Sequence, residues 1–377
     1  MAGIYIHVPF CRQACHYCDF FFTVSLRSKT LFVNSLLKEI SMRAGQYRGR
    51  SVETLYLGGG TPSLLSPSEL DRILDAVDSR FSFREDAERT IECNPDDLDQ
   101  TYLRELRKRG FNRISIGIQS FRKKELELMH RTHDPGQGER SVMEAAEQGF
   151  DNITIDLIYG VPGQTIRDWE QNLSRALSLP VTHLSAYHLT FEPGTVFDHM
   201  RKKGRLIPVQ DEESEKMYRL LRQITMKEGF DHYEISNFAR NGKRSFHNLI
   251  YWSGKPYLGF GPSAHSFDGA TRSWNISSLK GYLEGITRGR PVVEEEELTV
   301  SEQYHDYLIT SLRTRWGADR NHIKIRFGEE ISDHFERVSG PFIREGSMWQ
   351  TEAKVGIRPE KWLISDHIIR ELFRDQF

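Results

Sequence analysis

A chain of 377 residues and 43.8 kDa has room for two or three domains at roughly 150 residues each. Its 51 basic and 53 acidic residues leave a formal charge of −2, which argues against a nucleic-acid partner recognised through bulk positive charge. No apolar run approaches the ~18–20 residues that cross a bilayer. The opening residues, Met1 to Phe10, lack the basic-then-apolar order of a secretory signal, so a cytoplasmic location is expected.

In chain order, residues 4–8 read as a strand, followed directly by Cys11-x3-Cys15-x2-Cys18. Without an export signal, three cysteines on one short loop point to metal or cluster ligation rather than disulfides. A second strand, 54–57, ends in Gly58-Gly59-Gly60-Thr61-Pro62, a turn whose bare backbone can approach a ligand closely. No Gly-Lys-Ser/Thr follows, so it is not a P-loop. Ser66-Pro67-Ser68-Glu69 has the form of a capping box, and Leu70, Ile73, Leu74, Val77 and Phe81 continue at helical spacing. A third strand, 90–92, ends in Glu92-Cys93-Asn94-Pro95, and a helix over 99–109 stops at Gly110. The fourth strand, 113–118, alternates Ile114, Ile116 and Ile118 with small or polar residues and runs into Gln119. A helix over 139–148 stops at Gly149. The fifth strand, 152–158, carries Asp156. A helix after Thr165 shows Trp169, Leu173, Ala176 and Leu177 on one face. The sixth strand, 182–189, carries Tyr187 and His188.

Strands alternating with helices imply a parallel sheet. Six such units are too few to close an eight-fold barrel, so the expected fold is α/β, a partial (β/α)6 barrel, with a doubly wound sheet as the alternative. Either fold gathers the polar residues at the strand ends into one mouth. Past about residue 205 the alternation stops. A charged amphipathic helix is expected over 211–227, then a Gly- and aromatic-rich stretch over 251–267. The acidic run 294–297 reads as an exposed connector. From 299 the chain is rich in helix signals, with a hairpin or wing over 347–363. The expected division is 1–205 for the barrel, 206–298 for an extension and 299–377 for a small, mainly helical, winged-helix-like domain.

Three thiolates can bind three irons of a cubane [4Fe–4S] cluster and leave the fourth iron open to chelate a small molecule, whereas ferredoxins close their clusters with four cysteines. Structural zinc favours four ligands in two separated pairs. Here His7, His16 and the distant Cys93 are candidates for a fourth ligand, but there is no second pair. Cys93, alone in a core strand, reads as a small buried hydrophobe.

With Tyr17 just before the third cysteine, the spacing resembles the signature of radical S-adenosylmethionine (SAM) enzymes. In that superfamily the open iron binds the amino and carboxylate groups of SAM, and the reduced cluster cleaves it to a 5′-deoxyadenosyl radical that the protein positions and shields. Four further motifs carry a closer resemblance: His7-x-Pro9-Phe10-Cys11, Gly58-Gly59-Gly60-Thr61-Pro62, Gly117-Ile118-Gln119-Ser120-Phe121, and the run from Asp156 to Gly163. Along nearly its whole length the chain resembles the oxygen-independent coproporphyrinogen III oxidase-like proteins. The resemblance implies that Tyr5 lines the cluster and that Gly59, Gly60 and Thr61 contact SAM. It has Glu92, Gln119 and Asp156 bind ribose, amino or adenine-side polar groups, pairs Arg131 with a cofactor carboxylate, and puts Tyr187 at the same mouth.

That family has two branches. Its oxidases carry a fourth cysteine two residues after the third, where Phe20 stands here, and a substantial segment before the first strand, which here begins at residue 4. Both departures count against oxidative decarboxylation of coproporphyrinogen III, which stays as the alternative function. The other branch, the HemW-type heme chaperones, is marked by His-Asn-x-x-Tyr-Trp, present as His247-Asn248-Leu249-Ile250-Tyr251-Trp252 and followed by a Gly-rich stretch through His265. The resemblance to it implies a carrier that binds heme beside the cluster and SAM and hands heme to a hemoprotein. His247 is then a candidate axial ligand of the heme iron, His265 a second candidate, and Tyr251 and Trp252 pack on the porphyrin face. The other reading of these residues is a structural loop in which His247 bonds the backbone and the aromatics fill the core. A respiratory acceptor would bring peripheral membrane contact, and the resemblance allows a homodimer.

Overall fold

The computed structural model describes residues 2–47, 49 and 51–374. The six expected strands form: β1 (Ala2–Val8), β2 (Ser51–Gly59), β3 (Ser82–Cys93), β4 (Arg113–Gln119), β5 (Ile153–Tyr159) and β6 (His183–His188). Each pairs in parallel with the next. Because successive side chains point to opposite faces, each strand has one apolar and one polar side. Ile4, Ile6, Leu55, Leu57, Ile91, Ile114, Ile116, Ile153, Ile155 and Leu184 are fully buried beneath the helices. Tyr5, Tyr56, Glu92, Ser115, Asp156 and Ser185 point into the barrel.

The covering helices are α1 (Lys29–Arg43), α2 (Pro67–Asp78), α3 (Gln100–Lys108), α4 (Lys123–Leu128), α5 (Pro135–Glu147), α6 (Ile166–Ser178), α7 (Val196–Lys202) and α8 (Asp211–Lys227). The capping box at Ser66 forms, with Ser66 accepting from Glu69 N and the Glu69 carboxylate accepting from Ser66 N. A second box, Thr165 with Asp168, starts α6. Helix α5 starts four residues before the expected 139, because Asp134 caps it and Pro135 occupies the first helical position. Helix α1 escapes the sequence pattern because Glu39 and Arg43 sit on its buried face and interrupt the apolar stripe.

Beyond β6 the sheet continues antiparallel through β7 (Asp231–Glu234) and β8 (Asn237–Ala239). A short helix α9 (Phe246–Trp252) follows. Then β9 (Tyr257–Phe260) adds in parallel beside β1, and β10 (His265–Phe267) and β11 (Thr271–Asn275) extend that edge antiparallel. Helix α10 (Leu279–Thr287) leads to β12 (Val293–Glu297). The 12-stranded order runs from β12 to β7 with no pairing between those two ends, so the barrel is partial and open. The acidic run 294–297 is therefore not a connector. It is the edge strand β12, exposed but laddered onto β11, with Trp274 Nε1 donating to Glu294 at 2.7 Å. Charged side chains on an edge strand discourage pairing with another chain. The remaining chain folds as α11 (Val300–Leu312), β13 (Ala318–Asp319), α12 (Arg320–Phe327), α13 (Glu329–Arg344), the hairpin β14 (Met348–Gln350) and β15 (Lys354–Ile357), and α14 (Ser365–Glu371). Helices with a small hairpin wing are the expected form for this part.

One buried cluster ties the β9–β11 edge to α1. The fully buried Glu39 carboxylate accepts from Arg43 Nη1 (2.8 Å), Asn275 Nδ2 (2.7 Å), Tyr282 Oη (2.7 Å) and Gly261 N (2.9 Å). Arg43 also donates to Gly259 O at 2.8 Å and to Ser266 Oγ at 3.1 Å. Removing one partner of a buried pair leaves the other charge unpaired, at a cost of about 3–5 kcal/mol. Glu39→Ala is accordingly expected to lower the urea midpoint sharply; an unmoved midpoint would mean that strand pairing alone seats this edge.

Candidate cofactor site

The cysteine loop leaves β1 at the carboxyl edge of the sheet and carries Cys11, Cys15 and Cys18 half-buried and unpaired. It has little regular structure, and the turn after α4 holds it. His16 N donates to Met129 O (3.2 Å), His16 Nδ1 bonds Leu128 O (2.9 Å), His130 Nδ1 bonds Ala14 O (2.8 Å) and Gln13 Nε2 donates to His130 O (2.6 Å). The His16 and His130 rings stack at 4.5 Å. His130 adopts φ 61°, in the left-handed region, a strain of the kind found where a site over-determines its backbone. From the other side Phe197 N donates to His16 O at 2.9 Å.

Two residues expected at the cofactor reach cysteine sulfurs. Thr61 Oγ1 lies 3.5 Å from Cys11 Sγ, and Arg131 Nη1 lies 3.5 Å from Cys15 Sγ. Arg131 Nη2 donates to Asn94 Oδ1 and Gly117 O, both at 2.8 Å, and its buried Nε has no hydrogen-bond partner among the described residues. A Cβ at Gly117 would lie 3.0 Å from Gln119 Nε2 and in ordinary contact with Arg131 and Asn94, so those three polar groups converge over one bare backbone position. Gln119 itself sits at φ 65°.

Burial raises the Cys11 thiol, and it pushes Cys18 up to about 12, with Cys15 and Cys11 nearby adding to the effect. Thiolates at these half-buried positions would be stabilised by a cation, which an iron cluster supplies. No three His, Cys, Asp or Glu side chains among the described residues converge on a single-ion position. Cys93 faces the helices, 4% exposed, as alternation along β3 requires.

The glycine turn is tight for a local reason. Gly59 has φ 103°, and a Cβ there would lie 2.5 Å from the His7 ring; a Cβ at Gly60 would lie 2.7 Å from Phe10 O. These glycines let the end of β2 press against the start of the cysteine loop. Gly60 N donates to Val8 O at 2.9 Å and Gly59 N to Glu92 Oε2 at 3.1 Å.

Inside the barrel, Tyr5, Glu92, Asp156, Tyr187 and His247 share a cavity of about 300 Å³ with Tyr56 and Tyr251. Tyr56 Oη donates to Glu92 Oε1 at 2.6 Å, and Ser115 Oγ reaches Asp156 Oδ2 at 3.3 Å. Burial pushes the Glu92 carboxyl up to about 7, helped by the neighbouring Asp156 and opposed by Tyr56 and Gly59. Burial likewise pushes Asp156 up to about 6. His265 is not in this cavity: it lies exposed at the start of β10, stacked on Trp274 at 5.9 Å.

His247 lies at the opposite end of the barrel from the cysteines, where α9 closes the floor. Its Nδ1 shares a hydrogen bond with Thr54 Oγ1 (2.7 Å) and its Nε2 with Tyr251 Oη (2.8 Å), and the ring stacks on Tyr56 at 4.8 Å. It is 1% exposed, and burial pushes the imidazole down to about 3, so it is neutral. Glu88 accepts from Phe246 N and His247 N, both at 3.0 Å, capping the helix. Neither ring nitrogen is open to iron in this arrangement. Thr54, Tyr56 and Glu88, absent from the sequence expectations, stand at alternate inward positions of β2 and β3; the same alternation marks Glu92.

The Radical SAM superfamily profile matches residues 5–176. The heme chaperone HemW of Bacillus subtilis is 35% identical over 98% of this chain and 98% of its own length. The heme chaperone HemW of Escherichia coli is 31% identical over 84% of each. The radical S-adenosyl methionine domain-containing protein 1 of Mus musculus mitochondria is 34% identical over 85% of this chain and 75% of its own. The structure of coproporphyrinogen III oxidase (HemN) from Escherichia coli, a radical SAM enzyme, superimposes with a TM-score of 0.86 at 25% identity, covering 99% of this chain and 90% of that one.

Two expectations follow from this geometry. After anaerobic reconstitution, Cys11→Ser, Cys15→Ser or Cys18→Ser should each lose cluster iron and sulfide, while Cys93→Ser keeps both; iron loss in Cys93→Ser would mean a different ligand set. The raised carboxyl of Glu92 is neutral in the folded chain where an unfolded glutamate is already charged. Its contribution to stability is therefore full below about pH 4.3 and lost as pH rises through about 7. In cofactor-free protein Glu92→Gln should remove that loss, on the order of 3–4 kcal/mol by pH 8; a parallel pH profile of the urea midpoint would show that Glu92 titrates normally.

Proposed function

Because the chain belongs to the HemW-type heme chaperone branch of the radical SAM superfamily, we propose that it binds heme and delivers it to a hemoprotein, using a [4Fe–4S] cluster and SAM. The observation that carries the reading is the similarity, at 31–37% identity and over most of this chain, to several proteins named heme chaperone HemW. Cys11, Cys15 and Cys18 would hold the cluster, with SAM on its open iron. When bound, the cluster supplies one electron to the sulfonium of SAM.

The chain's own groups orient and shield. Arg131, fixed by Asn94 and Gly117 O with its buried Nε unpartnered, offers a positive charge to a carboxylate beside Cys15. Glu92 and Asp156, pushed up to about 7 and about 6, can hold a proton near neutral pH and so serve as donor or acceptor to ribose, amino or adenine-side groups. Gln119 reaches the same mouth, and Gly59, Gly60 and Thr61 bring the β2 turn against the cluster loop. Tyr5 and Tyr187 wall the cavity. Residues 1–205 would carry this chemistry, with 206–298 and 299–377 as separate parts that serve the cargo.

Phe20, 66% exposed where the oxidases carry their fourth cysteine, favours transport over decarboxylation. No helix among the described residues is long and apolar enough to cross a membrane. Delivery to a respiratory acceptor would bring it to a membrane surface, and a homodimer is the assembly that the family resemblance allows.

Two measurements test the reading. Anaerobic titration of cluster-reconstituted protein with hemin should give saturable binding in the Soret region. Under reducing conditions with SAM, coproporphyrinogen III should release no carbon dioxide. Absence of saturable hemin binding together with carbon dioxide release would replace the carrier with the oxidase.

A further inference from the structure

Helix α9 has two faces. His247 and Tyr251, at i and i+4, look into the barrel, while Phe246, Leu249 and Ser253, at i, i+3 and i+7, look away from it. The outward face, with Trp252, forms one wall of a cleft of about 600 Å³ whose other wall comes from α11, β13 and β15 and presents Tyr307 and Trp316. That volume lies within the range of ligand pockets, roughly 300–1,000 Å³. The cofactor site makes no use of this cleft. Phe246 is 55% exposed in it, unusual for a phenylalanine with no structural need to face water.

The lining chemistry suits a flat, apolar ring with anionic edges. Four aromatic side chains supply faces for stacking. At the rim three cations, Arg84, Lys255 and Lys354, stand among three carboxylates, Glu53, Asp86 and Asp319: Arg84 is held by Asp86 at 2.9 Å and shares Glu53 with Lys255 at 3.5 and 3.3 Å, while the Lys354 ammonium has no carboxylate within ion-pair distance among the described residues. A heme has this shape: a planar tetrapyrrole with two carboxylates on one side. The lining contains no imidazole, thiol or thioether. His322 lies behind Tyr307, stacked on its ring at 4.5 Å, and the Tyr307 oxygen already accepts from Asp319 N at 2.7 Å.

We propose that this cleft, between the outer face of α9 and the C-terminal segment, is the heme site. His247 is then a positioning residue that seats α9 rather than the iron ligand. The proposal rests on the carrier reading and gives it a place.

The test is anaerobic hemin titration of the full, cluster-reconstituted chain beside three variants. Ser253→Trp fills the cleft from an exposed position and should weaken binding about tenfold or more, a loss of about 1.4 kcal/mol or more. Lys354→Glu should weaken it severalfold. His247→Gln should leave the ligand-field spectrum of bound hemin as in the wild type, with no loss of a histidine-ligated signature, whatever its affinity. If the wild type binds hemin and both cleft variants bind equally well, the cleft is not the site and the carrier reading stands. If His247→Gln converts a histidine-ligated spectrum to one lacking that ligand, His247 is the ligand and the proposal falls. If the wild type does not bind hemin, the carrier reading fails and the cleft assignment with it.

Discussion

The polar interior of the open barrel is the constraint on which the rest depends. Six parallel strands turn their aliphatic side chains toward the helices and their Tyr, Glu, Asp, Ser, Thr, Arg and His side chains inward. Buried polar groups need partners. At the floor Thr54 bonds His247, Glu88 takes two amides of α9, His183 bonds Tyr233 at 2.7 Å, and Arg113 Nη1 donates to Asn152 at 2.7 Å. Higher up, Glu92 accepts from Tyr56 and Gly59 N and Asp156 from Ser115, and burial raises both carboxyls. The floor is closed by these bonds, although Arg113 Nε and His183 Nδ1 are left without a partner among the described residues, and the centre below the cysteine mouth holds two carboxyls that can carry a proton near neutral pH.

The cysteine loop does not support itself. Its shape comes from the 128–131 turn, from α7 through Phe197 N, and from β2 through the glycine turn. Arg131 belongs to this cradle, and its guanidinium joins Cys15, Asn94 and the end of β4. A cluster placed there would be positioned by four different parts of the chain, which makes its geometry a property of the whole barrel.

One short helix, α9, separates the two cavities. Its inward face is polar and fully paired, and its outward face is aromatic and partly exposed. The His-Asn-x-x-Tyr-Trp motif thus divides between two surfaces: His247 and Tyr251 clamp the floor, and Trp252 faces the cleft. The buried Glu39–Arg43 pair fixes the neighbouring edge of the sheet.

Much of this was legible in the sequence, because it depends on near neighbours in the chain. The period-2 alternation of Ile114, Ile116 and Ile118, the capping box at Ser66, the helix after Thr165 and the tight cysteine spacing are local patterns, and local patterns survive without knowledge of the fold. The inward polar residues Glu92 and Asp156 were visible for the same reason. Tertiary structure alone decided what depends on distant partners. Helix α1 was hidden because Glu39 finds its partners near residues 261, 275 and 282. The run 294–297 became a strand because β11 offered a ladder. The orientation of His247 was decided by Thr54, nearly two hundred residues earlier in the chain. A histidine looks the same in a sequence whether its nitrogens are free for iron or already bonded, and only the packing of remote segments settles which.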